Sequence, residues 1–158
     1  MAPSSATSSK SSRSSSSVPT EHRLARRVQF YETDAAGIVH FSWYPRYMEE
    51  AEHAMWRAAG LSIHLPDSEI GWPRVAISFE YFRPLRFEDE FEVHLRIADM
   101  TRKAIRYSCD LTRDGKTVAS GTMTIVCVQH RPNERPRAME IPASVAMCFE
   151  AAPGGSPK

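Results

Sequence analysis

One short stretch of the chain has residue types and spacing that can do chemistry. Thr33 to His40 holds a single carboxylate, Asp34, then two alanines, Gly37 and the aliphatic pair Ile38-Val39. From about Ser42 the pattern turns helical. Trp43, Tyr44, Tyr47, Met48, Ala51, Ala54, Met55 and Ala58 recur at three- and four-residue steps, the period of one buried helix face. Glu49, Glu50, Glu52 and Arg57 fall mostly on the other face, and Gly60 suits a helix C-terminus. A loop therefore delivers one acid beside the start of a long helix. A helix N-terminus offers unpaired backbone N–H groups and partial positive charge. It can polarise a carbonyl and stabilise the oxyanion of acyl transfer, while a nearby carboxylate acts as nucleophile or general base. The plainer reading of Asp34 is a turn residue or a helix-capping acid.

The elements around this stretch read as follows. Residues 23–31 form a first strand, with Val28 and Phe30 on one face. Residues 61–72 form a polar connection with His64, Pro66 and Gly71, long enough to edge a pocket. Four alternating segments follow: Val75 to Tyr81, Phe91 to Ile97, Ile105 to Leu111, and about 116–129. Asp114-Gly115 marks a hairpin between the third and fourth. The fourth is apolar on both faces, which suits a central or covered strand. One helix followed by antiparallel strands is an α+β arrangement.

Composition narrows the function classes. The chain has 158 residues, 42% hydrophobic and 25% charged, enough for one globular domain. A formal net charge of +1 does not suggest a nucleic-acid partner, and no apolar run suggests a membrane span. Cys109, Cys127 and Cys148 form no C-x-x-C pair, so a reducing, cytoplasmic setting is expected. The six histidines show no metal-ligand spacing, so no metal is assigned, and no G-x-S-x-G elbow points to a serine hydrolase. Residues 1–21 form a serine-rich tail expected to be disordered. Organelle targeting is the alternative reading of that leader. The expected domain is 22–143, with 144–158 a C-terminal tail.

The run Tyr31-Glu32-Thr33-Asp34-Ala35-Ala36-Gly37-Ile38-Val39-His40-Phe41-Ser42-Trp43-Tyr44, followed by Arg46-Tyr47-Met48-Glu49, resembles a family signature. It is that of the 4-hydroxybenzoyl-CoA-thioesterase-like hotdog proteins. These typically read D-T-D-A-A/G-G-I/V-V before an aromatic-rich helix. The resemblance spans about residues 24–142. It includes Pro84 to Asp89, similar to the family's P-x-x-x-x-D segment, and Arg135 to Pro142, similar to its basic closing segment. It implies a hotdog fold, in which about five curved antiparallel strands wrap one long helix.

The resemblance also implies an acyl-CoA thioesterase. Asp34 would be nucleophile or general base, and the backbone N–H groups of His40 and Phe41 would polarise the carbonyl. Gly37 would let the backbone approach the substrate. Tyr31, Trp43, Tyr44 and Tyr47 would wall the acyl pocket, or simply pack the core. His40 either lines that pocket or packs as a satisfied histidine. It does not complete the D-x-x-x-x-H pairing that resembles hotdog hydratases. A second hotdog branch uses a helix carboxylate, which makes Glu49 and Glu50 the rival acids, although a solvated face is the simpler reading. Arg131, Arg135 and Arg137 are candidates for the coenzyme A phosphates. Arg83, Arg86, Arg102 and Lys103 are further candidates. Coenzyme A enters as part of the substrate, and no separate cofactor is expected. A homodimer or homotetramer is expected, since one helix on a small sheet leaves edges exposed. The rival reading is a non-catalytic module binding acyl thioesters or acyl carrier protein. A thioesterase acting on acyl carrier protein is a second enzymatic alternative.

Overall fold

Alternation of apolar and polar residues builds the sheet. The computed structural model describes residues 21–151. It runs β1 (Glu21–Arg27), a 3-10 turn at Phe30–Glu32, α1 (Trp43–Ala58), β2 (Ile70–Gly71) and β3 (Arg74–Tyr81). There follow β4 (Glu90–Met100), β5 (Ala104–Arg113), β6 (Lys116–Val126), β7 (Val128–Gln129), β8 (Arg137–Ala138) and α2 (Ala143–Ala146). The main sheet is antiparallel with strand order β1-β4-β5-β6-β3, and β2-β7-β8 form a small second sheet. Phe91, Val93, Leu95 and Ile97 of β4 are buried with Ile105, Tyr107, Cys109 and Leu111 of β5. Glu92, Arg96, Arg106 and Asp110 take the opposite face, as a two-residue period requires. Asp114 and Gly115 both have positive φ, 50° and 74°, which joins β5 to β6 through a tight hairpin.

The helix lies across the inner face of this sheet, against β1 and β4. Tyr44, Tyr47, Met48, Ala51, Met55 and Trp56 form its buried stripe. Its end is a Schellman turn. Leu61 N–H donates to Trp56 C=O at 2.9 Å and Gly60 N–H to Arg57 C=O at 3.0 Å, with Gly60 at φ 76°. This is the hotdog arrangement, one long helix wrapped by five antiparallel strands.

Three expectations need correction. The first strand ends at Arg27 rather than 31. Gln29 and Glu32 cap each other's backbone, close the 3-10 turn and throw Phe30 outward, 74% exposed, away from buried Val28. The packed domain does not stop at 143. Phe149 is buried against Trp56, with ring centres 5.4 Å apart. Glu52 is not on a solvated face. It lies on the buried stripe, one turn after Met48, and is wholly buried. The serine-rich tail falls outside the described residues, apart from Glu21, which opens β1. No helix among the described residues is long and apolar enough to cross a membrane.

Candidate active site

The loop before α1 is stitched on both sides. Asp34 N–H donates to Ile38 C=O at 2.8 Å, and Gly37 N–H returns to Asp34 C=O at 2.9 Å. Thr33 bridges Val39, Ile38 bridges Arg86, and Val39 N–H donates to Leu85 C=O at 2.8 Å. The Pro84 to Asp89 segment is therefore the floor on which the loop rests, fixed by Arg86 N–H donating to Asp89 Oδ2 at 2.8 Å. Gly37 sits at φ 79°, and a Cβ added there would approach nothing nearer than 3.9 Å. The left-handed backbone at this position is what calls for glycine.

Asp34 Oδ1 accepts the Ala36 N–H at 2.9 Å. Its other oxygen has no hydrogen bond among the described residues. Asp34, Ile38, Val39, Phe41, Tyr44, Tyr81, Phe82, Arg83 and Pro84 line a groove of about 490 Å³. The acid and the aromatic wall thus meet where α1 begins. The wall includes β3, whose Tyr81 hydroxyl donates to Phe41 C=O at 3.2 Å. Burial pushes the Tyr44 hydroxyl up to about 12, so it faces the groove as a neutral donor or acceptor.

The expected oxyanion donors divide. His40 N–H is already spent, donating to Glu32 C=O at 2.9 Å. This corrects the expectation for His40. The Phe41 N–H has no acceptor among the described residues, and Phe41 lines the groove. The His40 ring turns to the helix start instead, where Nδ1 accepts the Ser42 N–H at 3.2 Å.

A model of the thioesterase-like superfamily matches residues 28–149. The chain belongs to this superfamily. A 1,4-dihydroxy-2-naphthoyl-CoA hydrolase of Parasynechococcus marenigrum is 28% identical over 138 residues, covering 82% of this chain and 89% of the relative. Among solved structures, a protein from Aquifex aeolicus matches with a TM-score of 0.74 and 33% identity, over 81% of this chain and 98% of its own. A gentisyl-coenzyme A thioesterase matches with a TM-score of 0.71 and 30% identity, over 78% and 98%. The superfamily match covers the loop, the helix and four of the five strands of the main sheet, all but β1.

Within this thioesterase-like chain the fold gathers only some of the expected site residues. Asp34, Phe41 and Tyr44 share the groove. Tyr47 does not reach it. It is fully buried, packed on Phe91 at 4.9 Å, and burial raises its hydroxyl pKa well above the usual range. Tyr31 is 68% exposed and stacks on Trp43 away from the groove, with ring centres 5.6 Å apart. Arg131, Arg135 and Arg137 line another cleft with Gln129 and Glu134, and Arg131 pairs with Glu69 at 3.3 Å. That cleft lies beyond the end of β6, whereas the groove lies at its beginning, where Ala119 pairs with Tyr81. Within one chain the basic cluster and Asp34 are not brought together.

The sequence reading missed a set of buried acids. Glu32 is wholly buried and held by Arg26, which also bonds Glu50 of α1. Burial opposes the charge on Arg26, but the bonds to Glu32 and Glu50 outweigh it and raise its pKa. On the other side of α1, Arg74 of β3 pairs with Glu52 and, at 3.2 Å, with Glu49. Burial pushes the Glu52 carboxyl up to about 7, against the downward pull of Arg74. Glu49 and Glu50 therefore each grip an arginine of an edge strand while staying nearly half exposed to solvent.

Proposed function

We propose that the protein hydrolyses an acyl-CoA thioester to a carboxylic acid and free coenzyme A, with Asp34 as the reacting carboxylate. One observation carries this reading. Asp34, with one carboxylate oxygen free of hydrogen bonds, and Phe41, whose backbone N–H has no acceptor among the described residues, line the same aromatic groove just before α1. The thioester carbonyl oxygen takes the Phe41 N–H, where preorganised donors stabilise the charge that develops on attack. Asp34 then either draws a proton from a water whose oxygen attacks the carbonyl carbon, or attacks that carbon itself to form an anhydride that water hydrolyses to free the acid and restore Asp34. In both routes the carbon–sulfur bond breaks and the thiolate leaves. Superfamily relatives named as hydrolases and thioesterases of aryl-CoA compounds support the reaction class.

Assembly belongs to the same proposal. On edge strand β3, Val75 and Ile77 are 60% and 48% exposed, and Tyr81, Phe82 and Phe41 continue the apolar face. A second copy seated on β3 covers that face, closes the open side of the groove and can bring its own Arg131 to Arg137 cluster toward the coenzyme A moiety. Release of free thiol from a panel of aromatic and aliphatic acyl-CoAs tests the activity, with acyl carrier protein thioesters alongside. Turnover of at least one acyl-CoA is expected, from a dimer or larger species by light scattering. No thiol release from any thioester would overturn the proposal.

A further inference from the structure

Arg26 occupies an inward position of β1, between Leu24 and Val28, where alternation calls for an apolar side chain. Its guanidinium instead grips two carboxylates from different segments. Nη1 donates to Glu32 Oε1 at 2.6 Å, and Nη2 lies 2.6 Å from Glu32 Oε2. Nε donates to Glu50 Oε2 at 2.7 Å, and Nη2 to Glu50 Oε1 at 3.2 Å. Its face stacks 4.6 Å from the centre of the Tyr47 ring.

The two carboxylates belong to the two halves of the site. Glu32 stands two residues before Asp34. Its side chain takes the Gln29 N–H at 2.7 Å and its carbonyl takes the His40 N–H at 2.9 Å. Glu50 stands about two turns into α1, and Phe41 immediately precedes the helix's N-cap Ser42. One guanidinium therefore ties the acid-bearing segment to the helix that Phe41 precedes.

We infer that Arg26 is a positioning residue for the thioester site, holding the Asp34 segment in register with the start of α1. The inference rests on the roles proposed above for Asp34 and Phe41. A buried ion pair is weak evidence of stabilisation, because apolar groups of similar volume often serve as well. Geometry is the better account of an arginine here. The planar fork bonds both acids at fixed angles, which a lysine cannot reproduce. A misplacement of about 1 Å between reacting groups can cost about 10²-fold in rate.

The test uses the full chain with the best acyl-CoA of the panel. Arg26→Lys keeps a positive charge beside Glu32 but loses the fork. Its melting temperature is expected to stay near wild type while kcat falls about 10- to 100-fold, with KM within about twofold. Glu50→Gln keeps the Arg26–Glu32 pair and weakens only the tie to α1. It is expected to lower kcat about three- to tenfold without changing KM, and it carries the test if the lysine variant fails to fold. Asp34→Asn, assayed in parallel, separates the two readings. If Asp34→Asn is inactive while Glu50→Gln and any folded Arg26→Lys keep wild-type kcat, the positioning role is overturned and the site reading stands. If Asp34→Asn is fully active, the site reading falls and the positioning role falls with it.

Discussion

At its C-terminal end α1 is capped and packed, beside a mostly apolar pocket of about 230 Å³ lined by Trp56, Leu61, Ile70, Trp72 and Val145. Trp56 is buried against Trp72 and Phe149, and its indole N–H donates to the Tyr107 hydroxyl at 2.9 Å. The Schellman turn satisfies the last carbonyls. At its N-terminal end the same helix is closed only in part, with His40 taking the Ser42 N–H on Nδ1 and the Trp43 N–H on its carbonyl. Pro45 brings no N–H, no side-chain oxygen caps the first turn, and the Phe41 N–H, just before the cap, has no acceptor among the described residues. The comparison shows how one helix divides its work. A capped, packed end anchors the domain, and an end preceded by a free donor borders the groove. An orphan donor costs stability when buried without a partner, so leaving one on a groove has to be compensated by packing elsewhere.

The comparison breaks most sharply at the closed end. Trp56→Ala is expected to cost about 3–5 kcal/mol of stability, measured by urea denaturation, while folded protein keeps near-normal KM. A large loss of kcat at unchanged stability would erase the distinction between the two ends.

Between the ends sits Glu52, wholly buried, with one oxygen that finds no hydrogen bond. Its folded pKa is raised from 4.5 to about 7, so the folded state binds the proton more tightly than the unfolded chain. The stability from this group is full below pH 4.5 and is lost as pH rises through about 7. At about 1.4 kcal/mol per unit, wild type should lose roughly 2–3 kcal/mol between pH 5 and pH 8 from this group. Glu52→Gln should flatten that slope in melting curves. An unchanged slope would mean that Arg74 keeps Glu52 ionised throughout.

The smallest effect is expected furthest from the groove. Replacing Arg131 and Arg135 together by alanine should raise KM for acyl-CoA about tenfold, near 1.4 kcal/mol, with kcat unchanged. A pantetheine thioester, which lacks the nucleotide phosphates, should be indifferent to the change. Equal loss with both substrates would show that the basic cleft does not hold phosphate.

The sheet was legible in the sequence because period-two alternation is clean in Phe91–Ile97 and Ile105–Leu111 and Asp114-Gly115 is chemically specific to its turn. The Asp34 loop and the long helix were legible for similar reasons. What escaped was charge at buried positions. Arg26 breaks the inward alternation of Leu24 and Val28, and Glu52 falls on the stripe between Met48 and Met55. Both were visible as violations of pattern, and a violation of that kind asks for a buried partner. The partners, Glu32 and Arg74, are distant enough in sequence or local enough in a turn that no periodicity names them. The groove's other wall, Tyr81 to Pro84, was read as a strand end. Only the fold shows that Tyr81 reaches back to Phe41. The His40 N–H was misjudged because the 3-10 turn that consumes it leaves no sequence period.

The central claim is that Asp34 acts on a carbonyl held at the start of α1, and Asp34→Asn tests it most directly. The amide keeps the size of the acid, and its oxygen can still take the Ala36 N–H, so the loop holds its shape. It removes the charge and the basicity. Steady-state kinetics should show kcat reduced about 10²–10⁴-fold, while calorimetry shows the thioester bound with near wild-type affinity. A variant that keeps more than about a tenth of wild-type kcat, well short of the loss of a positioned base, would contradict the account and turn attention to the helix acids Glu49 and Glu50.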